Sequence, residues 1–170
     1  MAYYYRSSSE HLGKGFFLLL ISLIVPAIVV VKSVQFNQNC GGYLKQAADA
    51  NTVELALDRV NKALEYIEAK GLTQGYTSVL WRTEDENIGY WYENIKACRS
   101  ELEANLEASS LEKSNVLMKV RESLTDNGEK GTELTVPPGI SRYPDNLIYG
   151  ILLWISAVLF VAAFIQFGKA

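Results

Sequence analysis

Residues 147–167, LIYGILLWISAVLFVAAFIQF, constrain this chain more than any other stretch, because they contain no Asp, Glu, Lys, Arg, His or Pro. At about 1.5 Å of rise per residue, crossing roughly 30 Å of hydrocarbon takes about 20 apolar residues. The stretch is that long, and it lacks the polar face that a soluble helix repeats about every 3.6 residues. Tyr149 and Trp154 lie in its first half, and Lys169 follows it with a cation able to reach headgroups. Residues 147–168 therefore read as a transmembrane helix.

A second apolar run lies near the start. Residues 15–31, GFFLLLISLIVPAIVVV, are 17 in number and bracketed by Lys14 and Lys32, the short end of the spanning range. Val34 and Phe36 lengthen the apolar character, which places this helix at 15–36, with Pro26 tolerated inside it. A secretory signal is the rival reading, but the A-x-A type of cleavage site is missing. Val31-Lys32-Ser33 is a poor substitute, and Asn39 before Cys40 does not suit a lipoprotein signal, so an uncleaved anchor is expected. Residues 1–14 form a short tail. Its Tyr3, Tyr4 and Tyr5 suit the headgroup level better than a recognition tag, and His11 is expected to be solvated.

Between the spans, from Lys32 to Asp145, 13 Lys and Arg face 18 Asp and Glu, a net of −5. Such a segment offers nucleic acid no basic stripe. One His and two Cys cannot supply the four ligands of a structural zinc site, and no cofactor is expected. The cations flanking the spans nearly balance: Arg6 and Lys14 precede the first, Lys32 and Lys45 follow it, and long loops escape the count. Two spans put both termini on one side. The expected placement is a bacterial-type inner or plasma membrane, with both termini cytoplasmic and the middle exported.

Periodicity makes that middle helical. After a polar stretch at 37–42, flexible by its glycines, residues 43–50 allow two turns. Asn51-Thr52-Val53-Glu54 resembles a capping box, and Val53, Ala56, Leu57, Val60, Ala63, Leu64 and Ile67 share a face until Gly71 stops the helix. Thr83-Glu84-Asp85-Glu86 opens a second helix with the stripe Ile88, Trp91, Tyr92, Ile95, Cys98, Leu102 and Leu106. Its acids suit a helix start, not a calcium loop, since no Asp-x-Asp-x-Asp-Gly pattern follows. Ser109-Ser110-Leu111-Glu112 opens a third, with Leu117, Val120 and Leu124 inward. Residues 125–146 carry three glycines and three prolines that forbid a regular helix and form an extended strap back to the membrane. The expected fold is all-α: two transmembrane helices bracketing an antiparallel three-helix water-facing bundle over 37–124.

Chemistry-bearing residues are few. Tyr66, Tyr76, Trp81, Tyr90, Trp91 and Tyr92 gather near one hairpin, where Trp91 and Tyr92 belong to the core stripe. Tyr76, Trp81 and Tyr90 are the candidates for a protein interface or a ligand-holding cluster. Cys40 and Cys98 are a candidate disulfide if the domain is exported. No nucleophile has a base within pattern reach, no phosphate-binding glycine motif occurs, and the apolar runs 15–31 and 147–167 hold no Asp, Glu, Lys, Arg or His. They also lack G-x-x-x-G, although Gly150, Ser156, Ala157, Ala162, Ala163 and Gln166 can serve helix contacts.

The expected function is that of a non-enzymatic accessory or scaffold subunit of a membrane assembly. Its partners would be the lipid bilayer and other membrane proteins or further copies of itself. The span–helical bundle–span layout resembles the sensory half of bacterial chemoreceptor-type proteins, which implies ligand sensing as the alternative. Only Gly168, Lys169 and Ala170 follow the second span, so such a sensor would signal through a separate partner.

Overall fold

A computed structural model describes residues 2–128 and 131–170, and the side chains of residues 9–126 and 133–170. The described chain is mostly helical. It divides into two compact units, Met1–Ser33 with Asp145–Ala170, and Val34–Pro144.

In the first unit, α1 spans Ala2–Phe36 with Pro26 inside it. The expected tail at 1–14 is thus helical from Ala2. A Glu10–Lys14 pair at 2.6 Å supports the early turns, in the favourable i, i+4 order. The side chains of Tyr3, Tyr4 and Tyr5 lie outside the described residues. The other helix, which we label α6, spans Asn146–Phe167, one residue longer at its start than the apolar stretch. Among the described residues, two helices are long and apolar enough to cross a membrane.

The pair runs antiparallel. His11 Nδ1 lies 2.8 Å from Gln166 Oε1, and the Phe16 and Phe167 rings meet edge to face at 5.2 Å. At the opposite end, Lys32 Nζ lies 4.9 Å from the centre of the Tyr149 ring. His11, expected to be solvated, is therefore engaged. Among the described residues of this unit the buried positions are small: Gly15 and Ser22 on α1, Ser156 and Ala163 on α6. In each helix they stand two turns apart, which keeps them on one seam. A Cβ at Gly15 would come within 2.6 Å of the Phe167 ring, so a side chain there must displace it. Phe17, Leu20, Ile24, Trp154, Val158 and Val161 all point outward.

In the second unit the helix continues past Phe36. Asn37–Gly41 forms a π-helical turn and α2 follows at Gly42–Ala48, which corrects the expectation of a flexible stretch at 37–42. The Gly42 N–H donates to the Asn37 carbonyl, and a Cβ at Gly42 would stand only 2.8 Å from that oxygen. Glycine here closes the widened turn instead of loosening the chain. Cys40 and Leu44 are thereby turned into the core.

Helix α3 spans Val53–Ala69 and buries Val53, Ala56, Val60, Ala63, Leu64 and Ile67, the expected face. Its N-cap is Thr52, one residue beyond the position read from the sequence, with Thr52 Oγ1 accepting from the Leu55 N–H at 3.2 Å. The helix ends at Gly71, whose φ of 66° suits a residue without a Cβ. The Thr83 box forms, but on the 3-10 turn Glu84–Glu86. Helix α4, Ile88–Ala104, starts separately from Asn87. The reason is tertiary: Asn87 pairs with Tyr76 as an isolated bridge, and the Ile88 N–H donates to the Gly75 carbonyl at 2.9 Å.

Helix α5, Ser110–Leu124, begins at the reciprocal Ser109–Glu112 capping box, as the sequence indicates, and buries Val116, Val120 and Leu124, with Leu117 half-buried. α2 packs on α3 and α5, and α4 on α3 and α5. Beyond the three expected helices, α2 adds Leu44, Ala47 and Ala48 to the core and the end of α1 adds Phe36.

The mostly helical chain fits the all-α expectation broadly, and the strap adds two short strands to it. Strands β1 (Thr125–Gly128) and β2 (Gly131–Leu134) pair antiparallel, from Thr125↔Leu134 to Gly128↔Gly131. Beyond them Ile140 is buried in the core, and Val136 and Tyr143 pack against it.

Candidate functional site

The second unit carries a groove of about 410 Å³ where the start of α4, the end of α5 and the strap meet. Its walls are built locally. The Thr83 N–H and hydroxyl both donate to Glu86 Oε2, at 3.3 and 2.6 Å, which sets the turn carrying Glu84 and Asp85. Asn87 Oδ1 accepts from the Tyr90 N–H at 3.1 Å, so the first turn of α4 presents Tyr90 and Trp91 together. Opposite them the Thr135 N–H donates to the Leu124 carbonyl at 2.9 Å. The Trp91 indole N–H donates to the Thr135 carbonyl at 3.0 Å. One side chain therefore both lines the groove and holds its far wall, which continues through Val136, Pro137 and Pro138.

Of the aromatics singled out from the sequence, the structure brings only Tyr90 and Trp91 to this groove. Tyr90 is exposed, and Trp91 is buried except for a small part of its ring. Tyr76 is engaged elsewhere: its hydroxyl accepts from Asn87 Nδ2 at 3.3 Å, and the Arg82 guanidinium lies 5.2 Å from its ring centre. Trp81 does not line the groove. It is 78% exposed and stands on the α3–α4 connection beside exposed Val79 and Leu80. Tyr92 donates its hydroxyl to Glu68 Oε1 at 2.9 Å, and that bond raises its phenol above the ordinary value.

The candidate disulfide is not formed in this structure. Cys40 and Cys98 are both free and buried. Cys40 sits on the π-helical turn near Tyr66, whereas Cys98 lies on α4 beside Ser123 of α5, and burial raises the Cys98 thiol above its usual range. Each faces its own neighbours, and neither thiol is presented to solvent.

The chain matches no known family model, no curated protein and no solved structure.

The groove is suited to binding. Ser123 contributes a hydroxyl to its wall, and that Oγ donates to the Lys119 carbonyl at 2.9 Å. The groove combines two rings, two prolines and the apolar Ile95, Leu124, Leu134 and Val136 with acidic residues along it, the mixture of apolar wall and few polar groups found in ligand pockets. Sequence reasoning missed the strap's share of it. The signal available was Gly128 and Gly131 around a short connection, the spacing of a hairpin, followed by the stiff Pro137-Pro138 pair.

Proposed function

We propose that this chain is a non-enzymatic integral membrane protein that works as an accessory or scaffold subunit. In this reading α1 and α6 are the two spans, both termini are cytoplasmic, and the unit Val34–Pro144 is an exported, water-facing helical bundle. The two-helix unit supports the membrane half of the reading, since its seam is small and its outward side chains are large and apolar. A soluble hairpin would reverse that arrangement.

The observation that carries the binding role is the exposed apolar patch Val79, Leu80 and Trp81, 48%, 77% and 78% exposed. Large exposed apolar side chains in a contiguous run mark interaction surfaces, and Trp is enriched among the residues that dominate binding energy. The test is gentle-detergent purification of the full chain at native levels, with mass spectrometry of what stays attached. A stoichiometric membrane-protein partner, released by Leu80→Ala or Trp81→Ala with the helical content retained, is the expected result. A partner that both variants retain would refute the patch as its dock, and recovery of the chain alone would refute the subunit reading.

The groove favours a second reading, a ligand-sensing module that signals through a separate partner. Its support is a preformed cavity with a tethered aromatic wall, distinct from the exposed patch.

A further inference from the structure

The exposed patch and the groove lie on one segment and complement each other in polarity and charge. Val79, Leu80 and Trp81 project from the α3–α4 connection. Three residues after Trp81 the chain reaches Glu84 and Asp85, which line the groove, while Trp81 itself stays out of it. Arg82 follows the patch and is exposed. Its guanidinium lies 5.2 Å from the Tyr76 ring centre, and no carboxylate pairs with it among the described residues. The described lining of the groove in turn holds no Lys or Arg. An apolar knob followed by a cation thus stands beside an apolar groove whose near rim is acidic.

We propose that two copies of this chain form a symmetric dimer in which each places Leu80 and Trp81 in the other's groove. There they meet the wall of Trp91, Val136, Pro137 and Pro138, and Arg82 meets the partner's Glu84 and Asp85. A two-fold axis beside this segment makes both contacts twice and closes the assembly. One Trp covers about 150–250 Å², so two knobs with their leucines and the walls they meet approach the roughly 1,200 Å² of a stable interface. Other occupants do less. A foreign apolar peptide fills the groove and leaves the patch bare. An anionic headgroup layer suits an exposed Trp but meets Glu84, Asp85 and Glu86 directly after it. The proposal rests on the reading of this patch as a dock and names what docks there, in the groove that the sensing reading leaves for a small molecule.

The test uses the full chain in gentle detergent, with its mass followed by native mass spectrometry over a range of concentrations. The wild-type chain is expected as a dimer, and Trp81→Ala should weaken it about tenfold or more with helical content retained. Exchanging charges checks the geometry. One chain carries Arg82→Glu, and a second carries Glu84→Lys with Asp85→Lys. Alone, each sets like charges against each other across the interface and should be monomeric where the wild type pairs. Mixed, they restore opposite charges at both contacts and should form the heterodimer. A mixture that pairs no better than either variant alone overturns the proposal, as does a dimer that Trp81→Ala leaves intact. A chain monomeric at every concentration overturns it too. Quenching of a fluorophore on Leu80→Cys by brominated lipid in nanodiscs would then assign the patch to the bilayer. A foreign partner held by a monomeric chain overturns the second copy but keeps the patch a dock. A dimer recovered without any foreign protein sustains the proposal and refutes the accessory reading.

Discussion

Replacing Trp91 by phenylalanine separates two jobs that this side chain performs. The ring fills the core end of the groove, and the indole N–H holds the Thr135 carbonyl at 3.0 Å, joining α4 to a residue 44 positions later in the chain. Phenylalanine keeps most of the ring and deletes the donor. A net hydrogen bond contributes about 1 kcal/mol, and the smaller ring gives up about 40 Å² of apolar burial, close to 1 kcal/mol more at about 25 cal/mol per Å². The expected loss is about 2 kcal/mol, or roughly 8–10 °C in the melting temperature of a unit of this size. Because the Thr135 N–H donates in turn to the Leu124 carbonyl, the local consequence is specific. Hydrogen exchange at the Thr135 amide should accelerate about tenfold or more, since about 1.4 kcal/mol corresponds to tenfold. Amides in the middle of α3 should change only by the global loss. If Thr135 keeps its relative protection while the whole unit melts earlier, Trp91 is simple core filling and the argument that it tethers the strap is wrong.

Gly75 has φ near 101°, and the Tyr143 hydroxyl occupies the space of a Cβ there. Gly75→Ala should cost about 2 kcal/mol from backbone strain and displacement of that hydroxyl, measurable by thermal unfolding; a neutral result would refute the crowding. The Ser109 hydroxyl and N–H hold the Glu112 carboxyl below the usual carboxylate range. A depressed carboxyl contributes stability above its unfolded pKa of about 4.3 and loses it as pH falls through the lower folded value. Glu112→Gln should therefore flatten the acid limb of unfolding below about pH 4.5, and an unchanged limb would count against the box. Phe16→Cys with Phe167→Cys should cross-link within one chain under mild oxidation, since the antiparallel pairing brings those two side chains into contact, whereas Phe16→Cys with Leu147→Cys should not.

The stripes on α3 and α4 were legible because burial on one face repeats with the helical period, and the Ser109–Glu112 box because all its partners lie within one turn. Helix α6 was legible for a third reason, its uninterrupted apolar length. What escaped depended on residues distant in the chain. Asn37 to Gly42 looks like a linker by composition. It becomes helix because Cys40 and Leu44 are buried there, and because Gly42 lets the π-helical turn close. The Thr83 box is a local truth with a tertiary limit, as the Tyr76–Asn87 bridge breaks the helix immediately after it. His11 found Gln166 across 155 residues, a pairing that no window on the sequence can see. The groove lay in the same blind spot: its rings were visible on α4, while its opposite wall comes from a strap whose composition announces only that it is not helix.

The position of Ile140 bears on how the protein is made. This residue is 3% exposed and belongs to the core, yet it comes after every helix that the core contains. While residues 34 to 124 leave the ribosome, the second unit lacks Leu134, Val136, Ile140 and Tyr143, and its apolar interior stays open on one side. Domains tend to fold as units during synthesis, and this one cannot be completed until its last dozen residues have emerged. By then α6 is already the next segment in the tunnel. Closure of the second unit and delivery of the second apolar helix therefore fall at the same moment of translation, leaving little time in which a half-finished core and an unplaced apolar helix are exposed together.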